Sequence, residues 1–432
     1  MFFERPESGE KAILVHMDMY DEAVQESPRE LEELALTAGA DPVEILMGSR
    51  HKPVSKFFIG TGKLEELKAL VQLYQAELVI FNHALSPAQE RNIEREIQCR
   101  VLDRTGLILD IFAQRARTHE GKLQVELAQL QHMSTRLVRG WTHLERQKGG
   151  IGLRGPGESQ LETDRRLLRA RITTILARLE KVRKQREQGR RSRQRAEVPT
   201  LSLVGYTNAG KSTLFNKMTN ADVYVADQLF ATLDPTLRKI ELEDVGSAIL
   251  ADTVGFIRHL PHKLVESFRA TLQETTDATL LLHVIDTYDE ERQGHIDEVE
   301  KVLSEIGADE VPLLQVYNKI DKMPGHEPRI DRDSDGVPVR VWLSAASGEG
   351  VALLLEAINE RLSDDVFSDT MILKPKDGQL RAQLFALGAV VDEQIDDMGD
   401  IHLKVRLQRK DLLKLLTRLG LPTEQYRIKE VY

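Results

Sequence analysis

Apolar positions along residues 1–111 follow two alternating patterns, which predict strands that alternate with helices. Short segments such as 12–17 and 78–82 are almost wholly apolar, as buried strands are. Helical spacing separates them, and Ser86 before Pro87 indicates a helix start, because the hydroxyl caps free amides and proline suits the first turn. Strands alternating with helices predict a parallel sheet, so residues 1–111 are interpreted as an N-terminal parallel α/β domain.

Residues 112–196 show the pattern of two long helices. Leucines recur at helical spacing up to about residue 147, and apolar residues do so again from 161 to about 188. Between them, residues 149–157 (G-G-I-G-L-R-G-P-G) contain five glycines and cannot stay helical. The pattern predicts a long antiparallel helical hairpin with a glycine-rich tip at 149–157. The segment 189–197 is interpreted as a charged linker.

The remaining chain divides into a second α/β region and a short tail. Residues 197–363 again alternate apolar strands with helices, and residues 364–432 predict a small α+β C-terminal domain with a strand at 401–407 and a helix at 410–419. The predicted fold class is therefore multidomain α/β.

Composition narrows the class of protein. The 432 residues are 41% hydrophobic and 30% charged, which is typical of a soluble globular protein. The apolar segments are too short to span a bilayer and the first residues resemble no secretory signal, so we expect no membrane span and a cytoplasmic location. A single cysteine, Cys99, excludes an intrachain disulfide and a cysteine-built metal site.

Charge is distributed unevenly along the chain. The net charge is −10, yet residues 112–195 carry 21 Lys and Arg against 8 Asp and Glu, a net +13, which leaves −23 for the rest. Such asymmetry indicates a polyanionic partner for the hairpin. A solvated helical face is the alternative for a basic segment taken alone.

The sequence after the strand at 200–204 carries the chemistry. Residues 205–212, G-Y-T-N-A-G-K-S, match the phosphate-binding loop, and the loop lies between a strand and a helix as that motif requires. Lys211 is expected to contact the β- and γ-phosphates, and Ser212 to ligate Mg²⁺. The residues predicted to line this part of the site are Gly205, Tyr206, Thr207, Asn208, Ala209, Gly210, Lys211, Ser212 and Thr213.

Three further motifs follow in order, each after a predicted strand: D-T-V-G-F (252–256), N-K-I-D (318–321) and S-A-A (344–346). Asp252 is expected to hold the Mg²⁺ shell and the Gly255 amide to meet the γ-phosphate. Asp321 presents two acceptors to the two donors of guanine, which adenine lacks, so the predicted ligand is GTP. The residues assigned to the nucleotide here are Asp252, Thr253, Val254, Gly255, Asn318, Lys319, Asp321, Ser344, Ala345 and Ala346.

A switch segment requires a hydroxyl that reaches Mg²⁺ only when the γ-phosphate is present. Thr232 is the first choice and Thr236 the second, so the predicted metal ligands are Ser212, Thr232 and Asp252, and the candidate catalytic residues are Lys211, Gly255 and Thr232. Phe256 stands where many GTPases have a water-orienting glutamine, which predicts slow unassisted hydrolysis. Asn208 suggests that a monovalent cation such as K⁺ compensates for the missing glutamine. The alternative is that Asn208 only stabilises the loop.

These motifs, the segment F-A-T-L-D-P-T (230–236) and above all G-G-I-G-L-R-G-P-G-E-S-Q-L-E-T-D-R-R (149–166) resemble the HflX-type GTPases. The resemblance extends from residue 1 to about 365 and implies a Ras-like GTP-binding domain at 197–363. It also implies binding to the large ribosomal subunit and GTP-dependent dissociation of stalled or stress-damaged ribosomes, with hydrolysis allowing release.

The tip suits contact with ribosomal RNA, because glycine lets the main chain approach closely and Arg154 adds charge and a stacking plane. A flexible turn is the alternative. The residues predicted to contact RNA are Arg146, Lys148, Gly149, Gly150, Gly152, Arg154, Gly155, Gly157, Arg165 and Arg166.

Two other functions stay open from the sequence: a large-subunit assembly or quality-control factor that does not split ribosomes, and a signalling scaffold whose hairpin binds a protein. The segment G-T-G-K (60–63) is interpreted as a strand–helix turn, with a second nucleotide site as the alternative. We expect a monomer that binds GTP and GDP.

Overall fold

The computed structural model divides the chain into two compact units, residues 1–238 with 249–313 and residues 239–248 with 314–432. The residues described are 9–19, 27–140, 160–195, 198–219, 229–230, 232–233, 235–243, 245–258, 269–363, 366–374, 377–395, 399–419 and 421. The predicted fold class, multidomain α/β with a parallel N-terminal sheet and a P-loop domain, is confirmed.

The N-terminal region is a parallel sheet with the strand order β2-β1-β3-β4. Its strands are β1 (Lys11–Met19), β2 (Asp41–Arg50), β3 (Leu78–Phe81) and β4 (Arg100–Asp103), and its helices are α1 (Arg29–Ala38), α2 (Thr61–Tyr74), α3 (Pro87–Ile97) and α4 (Arg104–Arg115). The predicted start of α3 is confirmed: the Gln89 amide donates to Ser86 Oγ (3.3 Å), and the Gln89 side chain accepts from the Ser86 amide (2.9 Å). This reciprocal cap satisfies two amides that the helix leaves unpaired.

The hairpin consists of α5 (His119–Gly140) and α6 (Gln160–Arg195). Leu123, Leu127 and Ile175 form the buried seam between the two helices. Arg171 donates to both carboxylate oxygens of Glu126 across the hairpin, at 2.6 and 3.0 Å. At 1.5 Å per residue, the 36 residues of α6 extend about 54 Å.

Two boundaries of the hairpin differ from the prediction. Residues 112–115 belong to α4, because the backbone is extended at Ala116 and the Thr118 hydroxyl caps a new helix by accepting from the Gly121 amide (2.9 Å). The linker prediction for 189–197 is wrong up to residue 195, since α6 continues to Arg195. The Lys, Arg, Gln and Glu residues of this segment favour helix, and one glycine costs only about 1 kcal/mol.

The P-loop region is built on a parallel arrangement in which β5 pairs with β7 on one side and with β8 on the other. Its elements are β5 (Thr200–Val204), α7 (Lys211–Thr219), β6 (Thr236–Leu242), β7 (Gly246–Asp252), α8 (Arg269–Thr276), β8 (Leu280–Asp286) and α9 (Arg292–Ile306). The carboxyl ends of β5 and β7 therefore meet at one edge, where parallel α/β sheets bind ligands.

The second unit contains two further groups of paired strands. In the first, β9 pairs parallel with β11, and β11 pairs antiparallel with β10. The second is antiparallel with the order β12-β14-β13 and packs on two helices around a leucine-rich core. The elements are β9 (Leu313–Asn318), a 3₁₀ turn (Ile320–Lys322), β10 (Arg329–Arg332), β11 (Pro338–Trp342), α10 (Val351–Ser363), β12 (Val366–Leu373), α11 (Gly378–Ala386), β13 (Val390–Ile395), β14 (Ile401–Gln408) and α12 (Arg409–Leu419).

Among the helices that the structure describes, none combines the length and the apolar character that crossing a membrane requires.

Candidate nucleotide site

The phosphate loop turns from β5 into α7 through backbone conformations that few residues adopt. Gly205 has φ 147°, and a Cβ built there would lie only 2.2 Å from the backbone oxygen of Val284. Asn208 (φ 60°) and Gly210 (φ 94°) are left-handed, a region that asparagine and glycine tolerate best. The loop ends at the first turn of α7, where helix amides lack partners within the helix. The predicted anion-binding turn is thus present.

Lys211 begins α7, and its buried side chain folds back over the loop. Its Nζ donates to the backbone oxygens of Tyr206 (2.7 Å) and Gly205 (3.1 Å). Burial and the charge of Lys211 lower the pKa of His283, on β8, to about 4, so His283 is neutral at pH 7. Lys211 therefore supplies the positive charge at this end of the loop.

Three oxygens predicted to hold a metal converge although their residues lie far apart in sequence. Ser212 Oγ and Thr232 Oγ1 both donate to Asp252 Oδ2, at 2.8 and 2.9 Å, and lie 2.8 Å from each other. The start of α7, the segment before β6 and the end of β7 each supply one of them. Thr232 is thus the threonine that lies at this group, whereas Thr236 begins β6.

This group has the chemistry of a magnesium site. The other oxygen of Asp252, Oδ1, is buried and has no hydrogen-bond partner among the described residues. Burial raises the pKa of Asp252, and its contacts with Ser212, Lys211 and Thr232 oppose that rise. Two hydroxyls and a carboxylate are the hard oxygen ligands that Mg²⁺ prefers, so the residues present fit the ion. When bound, the ion would neutralise phosphate charge.

The D-T-V-G-F segment is held against the phosphate loop by its backbone. The Thr207 amide donates to the Phe256 oxygen (2.8 Å), and the Phe256 amide donates to the Gly205 oxygen (3.1 Å). The Thr253 hydroxyl donates to the Leu203 oxygen (2.6 Å), so Thr253 has a structural role. The Phe256 side chain is 1% exposed. It is therefore a core residue, in agreement with the expectation that it orients no water.

The residues predicted to recognise guanine lie in the second unit and are hydrogen-bonded to one another. Asn318, which is 2% exposed, accepts a hydrogen bond from the Ala345 amide (2.8 Å) and so joins two of the predicted motifs. Ser344 Oγ donates to Asp321 Oδ1 at 2.5 Å. Lys319 has φ 69°, a left-handed conformation in the N-K-I-D turn.

The other predicted nucleotide residues have varied environments. Ala209 and Val254 are buried, Thr213 is half-buried on α7, and Ala346 is exposed.

Sequence reasoning missed a polar network that joins the N-terminal domain to the phosphate loop. Glu30, on α1, accepts hydrogen bonds from the Tyr206 hydroxyl and from Arg104 at the start of α4. Arg104 also donates to the Arg258 backbone oxygen (2.9 Å), and the Arg258 amide donates to the Tyr206 hydroxyl (2.9 Å). The Tyr206 ring stacks on His295 at 3.8 Å. Tyr206 lies in the phosphate-loop motif, but no motif marks its partners, because each of them is ordinary in its own segment.

The N-terminal domain also packs on the switch segment. Phe112, on α4, meets Phe230 edge-to-face with ring centroids 4.7 Å apart, two residues before Thr232. The segment that carries the switch threonine is therefore part of the apolar core that α1 and α4 share with the P-loop region.

The hairpin residues predicted to contact RNA are only partly within the described range. Arg165 is half-buried and Arg166 exposed, both on α6. The remaining eight lie outside the described residues: Arg146, Lys148, Gly149, Gly150, Gly152, Arg154, Gly155 and Gly157.

Four family models together match most of the chain between residues 25 and 428. They are described as GTP-binding GTPase N-terminal (residues 25–113), GTP-binding GTPase Middle Region (115–193), 50S ribosome-binding GTPase (200–319) and HflX C-terminal domain (332–428). The GTPase HflX of Escherichia coli K12 is 60% identical over 413 residues, which cover 96% of this chain and 97% of that protein. The chain belongs to the HflX family of GTPases.

Two other HflX proteins show how broadly the similarity extends. GTPase HflX of Magnetococcus marinus is 45% identical over 90% of each chain. That of Caldanaerobacter subterraneus subsp. tengcongensis is 45% identical over 94% of this chain and 93% of its own. The resemblance stated from sequence is thus confirmed, and family membership includes the C-terminal region, where the sequence motifs were weakest. The enzyme class, GTPase, is confirmed with it.

Proposed function

We propose that this HflX protein binds the large ribosomal subunit and uses GTP binding to dissociate stalled or stress-damaged ribosomes. In this proposal hydrolysis allows release, and hydrolysis is slow until the ribosome stimulates it. The protein acts as a cytoplasmic monomer. The match of residues 200–319 to a 50S ribosome-binding GTPase family supports the partner, and the basic hairpin is the observation that carries the proposal.

The surface of α6 suits a polyanion. Its buried side is used by the seam with α5, whereas Arg166, Arg169, Arg178 and Lys181 are exposed. Neutralising phosphates with such side chains releases counterions and adds affinity for RNA. This arrangement disfavours the scaffold hypothesis, because α5 and α6 already cover each other's apolar seam.

GTP can control the docked state because the switch is tied to another domain. Thr232 would follow the γ-phosphate through Mg²⁺, and Phe230 beside it packs on Phe112 of the N-terminal domain. A ligand shifts a conformational equilibrium only by its different affinity for the two states. We infer that GTP favours the ribosome-splitting conformation and GDP the released one.

Sedimentation of whole ribosomes with purified protein tests the proposal. We expect free subunits with GTP or a non-hydrolysable analogue and intact ribosomes with GDP. Intact ribosomes that carry bound protein under all three conditions would instead favour the assembly or quality-control factor.

Charge reversal at the hairpin tests which surface docks. Arg154→Glu and Arg166→Glu are each expected to weaken large-subunit binding without changing nucleotide affinity. Each should also reduce, by about one, the slope of the logarithm of the binding constant against the logarithm of salt concentration. Arg95→Glu, at an exposed position on α3, is the matched control. Equal binding by all three variants would exclude the hairpin as the docking surface.

We also propose Mg²⁺ and K⁺ as the ions of the reaction. The Asp252 group supports Mg²⁺, as argued above. For K⁺ the support is Asn208, whose side chain is exposed on the phosphate loop. Hydrolysis should be faster in potassium than in sodium salts at equal ionic strength, and Asn208→Ala should remove the difference. Equal rates for the unaltered protein would eliminate the K⁺ proposal.

A further inference from the structure

The GTPase reaction needs a group that orients the attacking water, and Phe256 is not that group. Its side chain is buried in the core, and its backbone is hydrogen-bonded on both sides to the phosphate loop. A hydroxyl or amide elsewhere must therefore border the γ-phosphate.

Thr207 borders the space where the γ-phosphate is expected. A Cβ built on Gly255 would lie 2.8 Å from Thr207 Cγ2 and 3.1 Å from Lys211 Nζ. The Thr207 methyl group, the Gly255 backbone and the Lys211 ammonium thus surround one small region, and the Thr207 hydroxyl is bonded to the same Cβ as that methyl group. The Thr207 amide is already used by its hydrogen bond to the Phe256 oxygen, which leaves the hydroxyl as the polar group of this residue.

The Thr207 hydroxyl is unlike the other buried hydroxyls nearby. Thr207 is only 6% exposed, and its Oγ1 has no hydrogen-bond partner in the part of the chain that the structure describes. By contrast, Thr253 and Thr232 both donate to protein oxygens. Native proteins rarely leave a buried hydroxyl unsatisfied, so an unsatisfied one at a reaction centre points to a partner that arrives with the substrate.

A cavity adjoins this side of the loop. Thr207 and Asn208 line a cavity of about 660 Å³ between α1 and the phosphate loop, which Glu30 and Arg258 also line. Ser212, on α7, belongs to the group around Asp252 that fits Mg²⁺. Thr207 lies toward Gly255, at the γ-phosphate end, where an in-line attack must begin.

We propose that Thr207 is a catalytic residue whose hydroxyl orients the water that attacks the γ-phosphate. Oγ1 accepts a hydrogen bond from the water and donates its own hydrogen to a γ-phosphate oxygen. The water oxygen forms a bond to phosphorus while the bond from phosphorus to the β–γ bridging oxygen breaks, and that electron pair stays on GDP. The proton that the water loses passes to a phosphate oxygen, so Thr207 neither gains nor loses one.

Two substitutions at this position separate the hydroxyl from the shape of the side chain. Thr207→Val keeps the branched shape without the hydroxyl, and Thr207→Ser keeps the hydroxyl without the methyl group. We expect Thr207→Val to lower the single-turnover hydrolysis rate about 10- to 100-fold at saturating GTP, as losing one hydrogen bond to a charged group does. Affinities for GDP and a non-hydrolysable GTP analogue should change less than about twofold, and Thr207→Ser should keep most of the rate.

Thr219→Val, on α7, is the matched control: it removes a hydroxyl whose partner is the Phe215 backbone oxygen, away from the site. Its hydrolysis rate should equal that of the unaltered protein. Thr207→Ala replaces Thr207→Val if the valine variant fails to fold, as judged by its unfolding midpoint. The proposal is overturned if Thr207→Val hydrolyses at the normal rate, if nucleotide affinity falls as much as the rate, or if Thr207→Ser is as slow as Thr207→Val. The experiment uses the isolated enzyme, so its outcome is independent of ribosome splitting.

Discussion

Replacing Asp321 with asparagine tests how the second unit selects its base. The carboxylate offers guanine two acceptors, whereas an amide offers one acceptor and one donor. The orientation of the new amide is set by Ser344. The Ser344 hydroxyl accepts from the Ser347 amide (3.2 Å) and donates to Asp321 Oδ1 (2.5 Å), so the oxygen of the amide should stay on the Ser344 side.

The size of the effect follows from that orientation. The amide nitrogen would face a guanine donor, which removes one charge-assisted hydrogen bond, about 1.5–3 kcal/mol, and leaves two donors opposed, about 1–3 kcal/mol more. Together these predict a loss of roughly 10²- to 10⁴-fold in GDP affinity. Xanthine presents an acceptor where guanine has its exocyclic amine, so Asp321→Asn should prefer xanthine nucleotides.

Competition between GDP and xanthosine diphosphate, measured by calorimetry, reports the preference directly. In a double variant that also carries Ser344→Ala, the new amide at position 321 is free to rotate. The ratio of xanthosine diphosphate affinity to GDP affinity should therefore be smaller than in Asp321→Asn alone. Tight xanthosine diphosphate binding also shows that the single variant is folded. A single variant that still prefers GDP would contradict the base-recognition argument, and a double variant with an unchanged xanthine preference would contradict the role of Ser344.

Three further predictions concern stability and pH. Gly205→Ala should destabilise the protein by roughly 2–6 kcal/mol, from the clash with Val284 and the strained φ, and abolish GDP binding; thermal unfolding and nucleotide titration measure both. Because burial raises the pKa of Asp252, Mg²⁺ affinity of the GTP complex should fall as pH falls through that raised value, and Asp252→Asn should remove the dependence. For the metal-free protein in EDTA, the raised pKa of Asp252 has the opposite consequence. The free energy of unfolding should decrease as pH rises from the unfolded-state pKa of Asp252 to its raised folded-state value. Ile175→Ala in the hairpin seam should cost about 2–4 kcal/mol in urea unfolding, whereas Arg171→Ala, which breaks an exposed ion pair, should cost less than about 1 kcal/mol.

Much of the nucleotide site could be predicted from sequence because it requires particular residue types at closely spaced positions along the chain. Gly205 is required where a Cβ would meet the neighbouring strand, and Lys211 and Ser212 follow where the helix begins. The sequence favours Thr232 over Thr236 as the switch threonine, and in the structure Thr232 Oγ1 donates a hydrogen bond to Asp252. Spacing within a strand–loop–helix unit determines such positions, since a few residues of fixed geometry leave little freedom.

Element boundaries were less predictable where two tendencies competed. Helical periodicity continues through residues 112–118, yet α4 ends before Ala116. A new helix begins after it, because the Thr118 hydroxyl can cap that helix. Conversely, Gly189 looked like a helix end, but strong helix formers on both sides carry α6 through it.

By itself the sequence determined the multidomain α/β class, the nucleotide motifs and the charge of the hairpin. These depend on periodicity, turn chemistry and composition, which are properties of neighbours along the chain. Only the tertiary structure decided that Glu30 and Arg104 hold Tyr206, that Phe112 packs on Phe230, and that the buried Thr207 hydroxyl has no hydrogen-bond partner among the described residues. Such contacts join residues from different segments, and they depend on how packed surfaces meet, which no local pattern encodes.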